Sequence, residues 1–152
     1  MDQQLISLLQ QNARASTEDL AKELNTTEAA VEQKIADLER DGVLLGYLAV
    51  VDRAKMGGNS VTATIEVRIT PEREGGFDRL AVRISKFAEV QSCYLMSGGY
   101  DLLVVVQGET LQEVAAFISE KLSTIKGVIS TATHFRLKSY KENGVLMIRI
   151  PF

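Results

Sequence analysis

The stretch that decides the fold is Cys93-Tyr94-Leu95-Met96-Ser97-Gly98-Gly99-Tyr100-Asp101-Leu102-Leu103-Val104-Val105-Val106, in which two apolar runs are joined by a pair of glycines. Glycine adopts positive φ without a Cβ penalty, so Gly98 and Gly99 allow the chain to reverse tightly. The aliphatic run after Asp101 has the composition of a buried strand. The stretch therefore predicts a β-hairpin.

The same turn also suggests a binding function. Its backbone N–H groups lie beside the carboxylate of Asp101, and this combination suits a zwitterion, because the N–H groups can bind an α-carboxylate and Asp101 an α-ammonium. A tight turn without a ligand is the more common use of a Gly-Gly pair. The turn alone leaves both interpretations open.

Composition indicates a soluble globular chain and argues against several classes of protein. The 152 residues are 45% hydrophobic, and no apolar run approaches the roughly 18 residues of a spanning helix. The start, Met1 to Gln4, lacks the basic and apolar regions of a signal peptide, so a cytoplasmic location is expected. Cys93 is the single cysteine and is expected to be an inert apolar residue of a strand.

Catalytic and metal-binding patterns are missing from the sequence. The one histidine, His134, is expected in an ordinary hydrogen bond on the last strand, and no nucleophile-base arrangement, metal-ligand spacing or phosphate-binding glycine loop is present. The sequence therefore predicts no enzyme, no metal and no cofactor.

Three short helices are predicted in the N-terminal third. The first carries a stripe at Leu5, Leu8 and Leu9; the second begins after Ser16 and the third after Thr27, both of which are suitable N-caps. The run Val43 to Val51 is β-branched and aromatic, which predicts a strand leaving the helices. This layout is that of a winged helix-turn-helix, whose last helix enters the major groove, and a three-helix bundle used only for packing is the alternative.

The remaining two thirds predict a second domain. Residues 52–60 are polar and glycine-containing, as in a linker, and alternation from Val61 to Ile69 predicts a half-buried strand. A helix, the hairpin, a second helix and a strand starting at Val128 follow, in the order βαββαβ of a ferredoxin-like fold. One face of its sheet has no helices, so we expect a homodimer to cover it. The tail from Gly144 to Phe152 predicts a further short strand.

The amino-acid sequence resembles that of the Lrp/AsnC family of bacterial and archaeal regulators. The resemblance rests on Leu8 to Arg14, Leu20-Ala21, Val31 to Ile35 and Leu38 to Tyr47, and it continues through Val51-Asp52, Met56-Gly57 and the Gly98 to Leu103 turn. It implies an α+β chain with a winged helix-turn-helix at 1–51, a linker at 52–60 and a ferredoxin-like, effector-binding and oligomerisation domain at 61–152. It also implies amino-acid effectors bound around the hairpin where dimers meet, and dimers assembled into octamers or related rings.

The ligand positions follow from the resemblance, whereas the DNA contacts follow from the helix-turn-helix layout and from which side chains can meet phosphates or base edges. The ligand positions are Met96, Ser97, Gly98, Gly99, Tyr100 and Asp101, with Thr131 and Thr133 from the last strand; for Tyr100, packing at the dimer contact is an equal alternative. The predicted contacts to double-stranded DNA are Arg14, Thr27, Glu28, Gln33, Lys34 and Arg53.

One departure from the family pattern concerns charge. Residues 1–50 hold four basic and nine acidic side chains, a net charge of −5, whereas family recognition helices usually carry arginine or lysine on the face that meets DNA. Phosphate contacts supply most non-specific affinity, so an acidic domain forgoes that contribution. The leading hypothesis is a transcriptional regulator responsive to a small amino acid. The alternative is a sensor or interaction module of the same fold with weakened or lost DNA binding.

Overall fold

The computed structural model describes residues 1–71 and 75–147, and the chain divides into two compact units, Met1–Val50 and Val51–Phe152. Each unit has its own cluster of buried apolar side chains. No helix within the described ranges has the length and apolarity needed to cross a membrane.

The first unit consists of three helices, α1 (Asp2–Gln11), α2 (Thr17–Glu23) and α3 (Glu28–Arg40). Both predicted N-caps are confirmed: Ser16 Oγ accepts from the Asp19 N–H and Thr27 Oγ1 from the Ala30 N–H, each at 3.1 Å. These bonds satisfy amide groups that the first turn of a helix leaves free. The buried apolar residues of this unit are Leu5, Leu9, Leu20, Ala21, Val31 and Leu38.

The predicted strand from Val43 to Val51 is wrong for the single chain. Two N–H groups, of Val43 and Leu44, bond to the Leu38 carbonyl and end α3, and residues 43–51, the exit segment, then run on without regular structure. Its large side chains are exposed, with Leu45 at 89% and Leu48 at 74%. A strand needs a neighbour to bond its N–H and C=O groups, and the described part of the chain supplies none. The wing of the predicted winged helix-turn-helix is therefore not formed within one chain.

The second unit is an antiparallel four-stranded sheet with helices packed on one face. A short helix α4 (Arg53–Met56), capped by Asp52, comes first; then follow β1 (Val61–Ile69), α5 (Asp78–Ser85), β2 (Val90–Leu95), β3 (Leu102–Gly108), α6 (Leu111–Ala116) and β4 (Val128–Phe135). The strand order is β2-β3-β1-β4, and the βαββαβ prediction is confirmed. The linker predicted at 52–60 thus contains a turn of helix.

The core of this unit lies between α5, α6 and one face of the sheet. Alternate residues of β1 and β3 point into it, among them Ile65 and Val104, which are paired across the two strands and fully buried. The opposite face, here called the open face, carries the other alternate residues of the central strands: Thr62, Thr64, Glu66, Leu103 and Val105.

Helix α6 and its continuation differ from the uniform helix that the apolar spacing predicts. After Ala116 the chain continues as a π-helix over Phe117–Leu122, and the Ser123 N–H bonds to the Ile118 carbonyl five residues back. Bonds of this span bring residues five apart closer to one face than an α-helix does. Phe117 and Leu122 are both buried as a result, and the Phe117 ring meets that of Phe87 edge to face at 5.4 Å.

The C-terminal tail forms a small ribbon of its own. Strand β5 (Lys141–Glu142) pairs with β6 (Val145–Leu146), whereas the sequence predicted one strand from Gly144 to Phe152. Residues 148–152 of that prediction lie outside the described residues.

Candidate functional sites

Helix α3 presents a narrow outward stripe with two long side chains. An α-helix turns by about 100° per residue, so Ala29, Gln33, Ala36 and Arg40 lie within roughly 30° of the line opposite the buried Val31 and Leu38. The alanines are short, which leaves Gln33 and Arg40 as the side chains of this stripe that reach outward. The acidic residues of α3 flank the stripe, with Glu28, Glu32 and Glu39 on one side and Asp37 on the other.

Most cations of the first unit are already bound to carboxylates. Lys22 pairs with Glu18 and Lys34 with Asp2, each at 3.0 Å, and Arg40 contacts both Asp37 and Asp41 at 3.1 Å. The Asp2 carboxylate raises the pKa of Lys34, and Asp41, with Asp37, raises the pKa of Arg40. Arg14 forms no ion pair with any described residue. The unit therefore offers phosphates less positive charge than its four cations suggest.

The predicted DNA contacts fall in three places. Thr27, Glu28, Gln33 and Lys34 all belong to α3 or its cap but do not share one face. Gln33 lies on the outward stripe and Glu28 on its flank, whereas Lys34 is turned toward Asp2 of α1 and the Thr27 hydroxyl is already used as the cap. Arg14 is exposed in the turn between α1 and α2. Arg53 belongs to the second unit, where its guanidinium meets the Gln107 amide oxygen, with 2.6 Å between Nη1 and Oε1 in the amide orientation that satisfies both groups.

A contact that the sequence did not indicate connects the exit segment to α3. The Tyr47 hydroxyl donates to Glu39 Oε1 at 2.9 Å. The pKa of Tyr47 is raised, mainly because the hydroxyl is partly buried and to a smaller extent because of this hydrogen bond. The two residues are eight apart across the end of a helix, so no local sequence pattern predicts the bond. It holds the exit segment beside the acidic flank of α3.

The predicted hairpin is confirmed, and its tip is exposed. The tip comprises residues 96–101 between β2 and β3 and is closed by the Met96 N–H donating to the Asp101 carbonyl at 2.8 Å. Of the two glycines, only Gly98 uses positive φ, at 116°. No described atom outside the turn lies within 4 Å of where a Cβ would stand at Gly98 or Gly99. The tip therefore has room for a ligand or a second chain.

Asp101 has a structural role that the sequence did not reveal. Its Oδ2 accepts from the Ile69 N–H at 2.8 Å, and its own N–H donates to the Val67 carbonyl at 3.0 Å. The carboxylate thereby extends the β1–β3 pairing past its last residue pair, Val67 with Leu102, at a point where β1 shifts register against β4. One carboxylate oxygen is committed to the fold, and the other has no such bond within the described chain.

Thr131 and Thr133 lie apart from the hairpin tip. Both threonines belong to β4, where they pair with Val67 and Ile65 of β1 on the helix-facing side of the sheet. Strand β1 therefore separates them from β3. Two strand spacings amount to roughly 10 Å. A single chain therefore brings together Met96 to Asp101 and leaves the two threonines across a buried strand.

A separate cavity of about 350 Å³ lies at the other end of β3, beside Gly108 and the π-helix. Its wall includes Glu89, Glu113 and Lys121, and the Lys121 ammonium, 2.9 Å from Glu89, lowers the pKa of that carboxyl. The predicted ligand residues do not line it. Among the described residues, no group of histidine, cysteine and carboxylate side chains is arranged to hold a metal ion.

Comparison with known proteins identifies both units. Residues 1–39 match the AsnC-type helix-turn-helix domain, and residues 62–146 match the Lrp/AsnC ligand binding domain. The chain is 46% identical over 142 residues to the uncharacterized HTH-type transcriptional regulator YugG of Bacillus subtilis, covering 93% of this chain and 86% of that protein.

Solved structures share the fold. E. coli AsnC superposes with a TM-score of 0.69 at 18% identity over 93% of each chain. A transcriptional regulator of Neisseria meningitidis, solved as its L-Met complex, gives a TM-score of 0.69 at 24% identity over 93% of this chain and 90% of that one. The chain belongs to the Lrp/AsnC family of transcriptional regulators, which are helix-turn-helix proteins with a ligand-binding domain and not enzymes.

Proposed function

We propose that this chain regulates transcription by binding double-stranded DNA through α3 and by changing its assembly when a small amino-acid-type effector binds at the hairpin tip. The observation that carries the proposal is the presence, in one chain, of a capped helix-turn-helix and of an exposed glycine turn beside a carboxylate. The first can enter a major groove, and the second has the groups that hold a zwitterion.

The effector is proposed to be an amino acid or a close relative. Backbone N–H groups around Gly98 and Gly99 would bind its carboxylate, and the oxygen of Asp101 that is free of the Ile69 N–H would bind its ammonium. Met96, Ser97 and Tyr100 would complete the site, with Thr131 and Thr133 supplied from across β1 or by another copy. A neighbour in fold binds L-Met, which supports the class of ligand but not its side chain.

A homodimer is proposed as the unit of assembly. The open face of each protomer carries Leu103 and Val105, which pair with the polar Glu66 and Thr64 of β1. Burial of the two apolar side chains against a second copy favours association. The exit segment supplies a second contact, since Val43, Leu45 and Tyr47 are at least half exposed and lack a strand partner in the described chain. The same segment of a second copy would provide that partner and complete the wing. Dimers would then join into octamers or similar rings through their hairpin tips.

Regulation is proposed to occur through this last contact. An effector bound between hairpin tips changes how dimers associate, and by linkage this alters the spacing of α3 helices on successive turns of DNA. Arg14, Thr27, Glu28, Gln33 and Lys34 are the proposed contacts of each protomer. Arg53 would join them only by leaving Gln107.

A second function is favoured by one observation. Three of the four cations in residues 1–50 are bound to carboxylates, in a unit whose net charge is −5. A chain that senses an amino acid and assembles with other regulators, without reading DNA itself, would have this property.

A gel-shift titration at low salt separates the two functions. The full chain would be mixed with DNA from around its own gene, with excess competitor DNA, and with and without pools of amino acids. Saturable shifts that resist competitor and change with one amino acid are expected for the regulator. A folded, oligomeric protein that shifts no DNA at any salt would overturn DNA binding and support the sensor.

A further inference from the structure

The carboxylate of Asp37 joins the two side chains that α3 presents outward. Its Oδ1 accepts from Gln33 Nε2 at 2.9 Å and lies 3.1 Å from Arg40 Nη1. Its side chain is 31% exposed, whereas that of Arg40 is 68% exposed. The network thus lies on the surface of the unit, along one edge of the outward stripe.

The bond to Asp37 fixes which way the Gln33 amide faces. If the amide were turned over, its carbonyl oxygen would meet the carboxylate, and two acceptors repel each other. With the nitrogen toward Asp37, the amide oxygen and the second N–H remain free. One acceptor and one donor in a plane are the groups that glutamine uses to bind adenine N6 and N7 in the major groove.

The same carboxylate restrains Arg40. Asp37 and Asp41 both contact its guanidinium, so less of its charge is available to any phosphate that it passes. An arginine without these partners would strengthen binding to all sequences alike. The network therefore lowers the non-specific attraction of Arg40 to phosphates and fixes the orientation of the Gln33 amide.

We propose that Asp37 is a specificity-determining residue of this regulator, a positioning residue that holds Gln33 in the orientation that selects adenine and limits the phosphate attraction of Arg40. The proposal rests on DNA binding by α3, as proposed above. An acidic residue of α3 thereby contributes to the choice of DNA sequence.

The test compares two charge-neutral variants of one helix. Asp37→Asn keeps the shape but can donate as well as accept, so Gln33 is free to turn over. Glu32→Gln removes the same charge on the other flank of the stripe, where no described contact reaches Gln33 or Arg40. Both variants should bind non-specific DNA more tightly than the wild type, since each removes one negative charge.

Sequence selection distinguishes them. The full-length wild type, both variants and Gln33→Ala would each be used to enrich duplexes from a random-sequence pool, and the bound duplexes would be sequenced. Wild type and Glu32→Gln should enrich one motif. Asp37→Asn and Gln33→Ala should each lose the adenine preference at the same base pair, by about tenfold in relative affinity. The double variant Gln33→Ala/Asp37→Asn should show the same sequence preference as Gln33→Ala alone, because Asp37 acts through Gln33.

Retention of the adenine preference by Asp37→Asn would overturn the proposal, as would its retention by Gln33→Ala. Far-UV circular dichroism of all variants shows whether α3 remains folded, and Glu32→Gln reports any effect of charge alone. If the wild type enriches no motif at all, sequence-specific recognition by α3 itself fails, and that outcome is distinct from loss of the preference in Asp37→Asn.

Discussion

The two units of the chain differ in how they are held together. The helical unit has six buried apolar residues and several ion pairs on its surface, whereas the sheet unit has a core of fourteen buried apolar residues. Exposed ion pairs contribute little to stability, and buried apolar area contributes most of it. The sheet unit should therefore be the more stable body.

The same comparison separates the two proposed tasks. DNA contact falls to the small acidic unit, in which three of the four cations are paired with carboxylates. Effector binding and assembly fall to the large unit, whose hairpin tip is exposed and whose open face is half-buried. A small core tolerates little loss, so mutations that leave the sensor intact should be able to unfold the DNA-binding unit alone.

The largest effect is expected from truncation of the small core. Leu5→Ala should cost about 2 to 5 kcal/mol, the range for a buried leucine, because Leu5 is fully buried. Ile65→Ala, at a fully buried position of β1, is the matched control with a similar loss from the larger core. Hydrogen exchange should show fast exchange confined to residues 1–50 in Leu5→Ala and spread over the sheet in Ile65→Ala. Global unfolding in Leu5→Ala would contradict the difference between the units.

A smaller effect is expected at the hairpin glycines. Gly98→Ala places a side chain at φ of 116° and should cost about 1 to 3 kcal/mol. Gly99→Ala meets neither positive φ nor a described neighbour, so unfolding should change by less than about 0.5 kcal/mol. If the tip contacts an effector or another copy, Gly99→Ala should nevertheless weaken amino-acid binding or octamer formation, measured by calorimetry and mass photometry. Normal binding and assembly would remove Gly99 from the site.

Asp101 allows the structural and the ligand roles to be separated. Asp101→Ala leaves the Ile69 N–H without its partner and should cost about 1 to 2 kcal/mol, since the site is half-buried. Asp101→Asn retains an acceptor oxygen and should cost less than about 1 kcal/mol. It lacks the charge that binds an ammonium, so its affinity for amino acids should fall in a calorimetric titration. Unchanged affinity in Asp101→Asn would show that Asp101 serves only the fold.

The smallest effect concerns the charge of α3. If Lys34 releases Asp2 to bind a phosphate, Lys34→Ala should lower the slope of log affinity against log salt by about one. Asp2→Asn, which frees Lys34, should raise affinity at low salt, and Glu18→Gln provides the matched change beside Lys22. An unchanged slope in Lys34→Ala would place Lys34 away from the DNA backbone.

Local patterns were sufficient to predict most of the fold. Ser16 and Thr27 marked the helix starts because capping is decided within four residues, and the alternation of β1 predicted its buried face because side chains alternate along a strand. The exit segment was predicted as a strand from the same kind of pattern. That prediction was wrong for a single chain because a strand forms only where a neighbouring strand bonds to it. Composition does not show whether such a neighbour is present.

The candidate sites were less predictable for a related reason. Asp101 bonds to Ile69 across 32 residues, and Lys34 pairs with Asp2 across as many, so both depend on how separate elements pack. The sequence predicted Asp101 as an effector-binding residue and Lys34 as a DNA contact, with no partner in the protein for either. Packing shows that each already has a partner inside its own unit.

The most direct test of DNA binding by an acidic helical unit is the salt dependence of binding to a duplex selected from a random pool. A dimer offering at most Arg14, Lys34 and Arg53 from each protomer should give a log–log slope no steeper than about −5, with sequence preference retained at low salt. A slope near about −10 would show that Lys22 and Arg40 also leave their carboxylate partners to bind phosphates, and would contradict the proposal that they stay paired. Absence of saturable binding at every salt concentration would contradict DNA recognition by this chain.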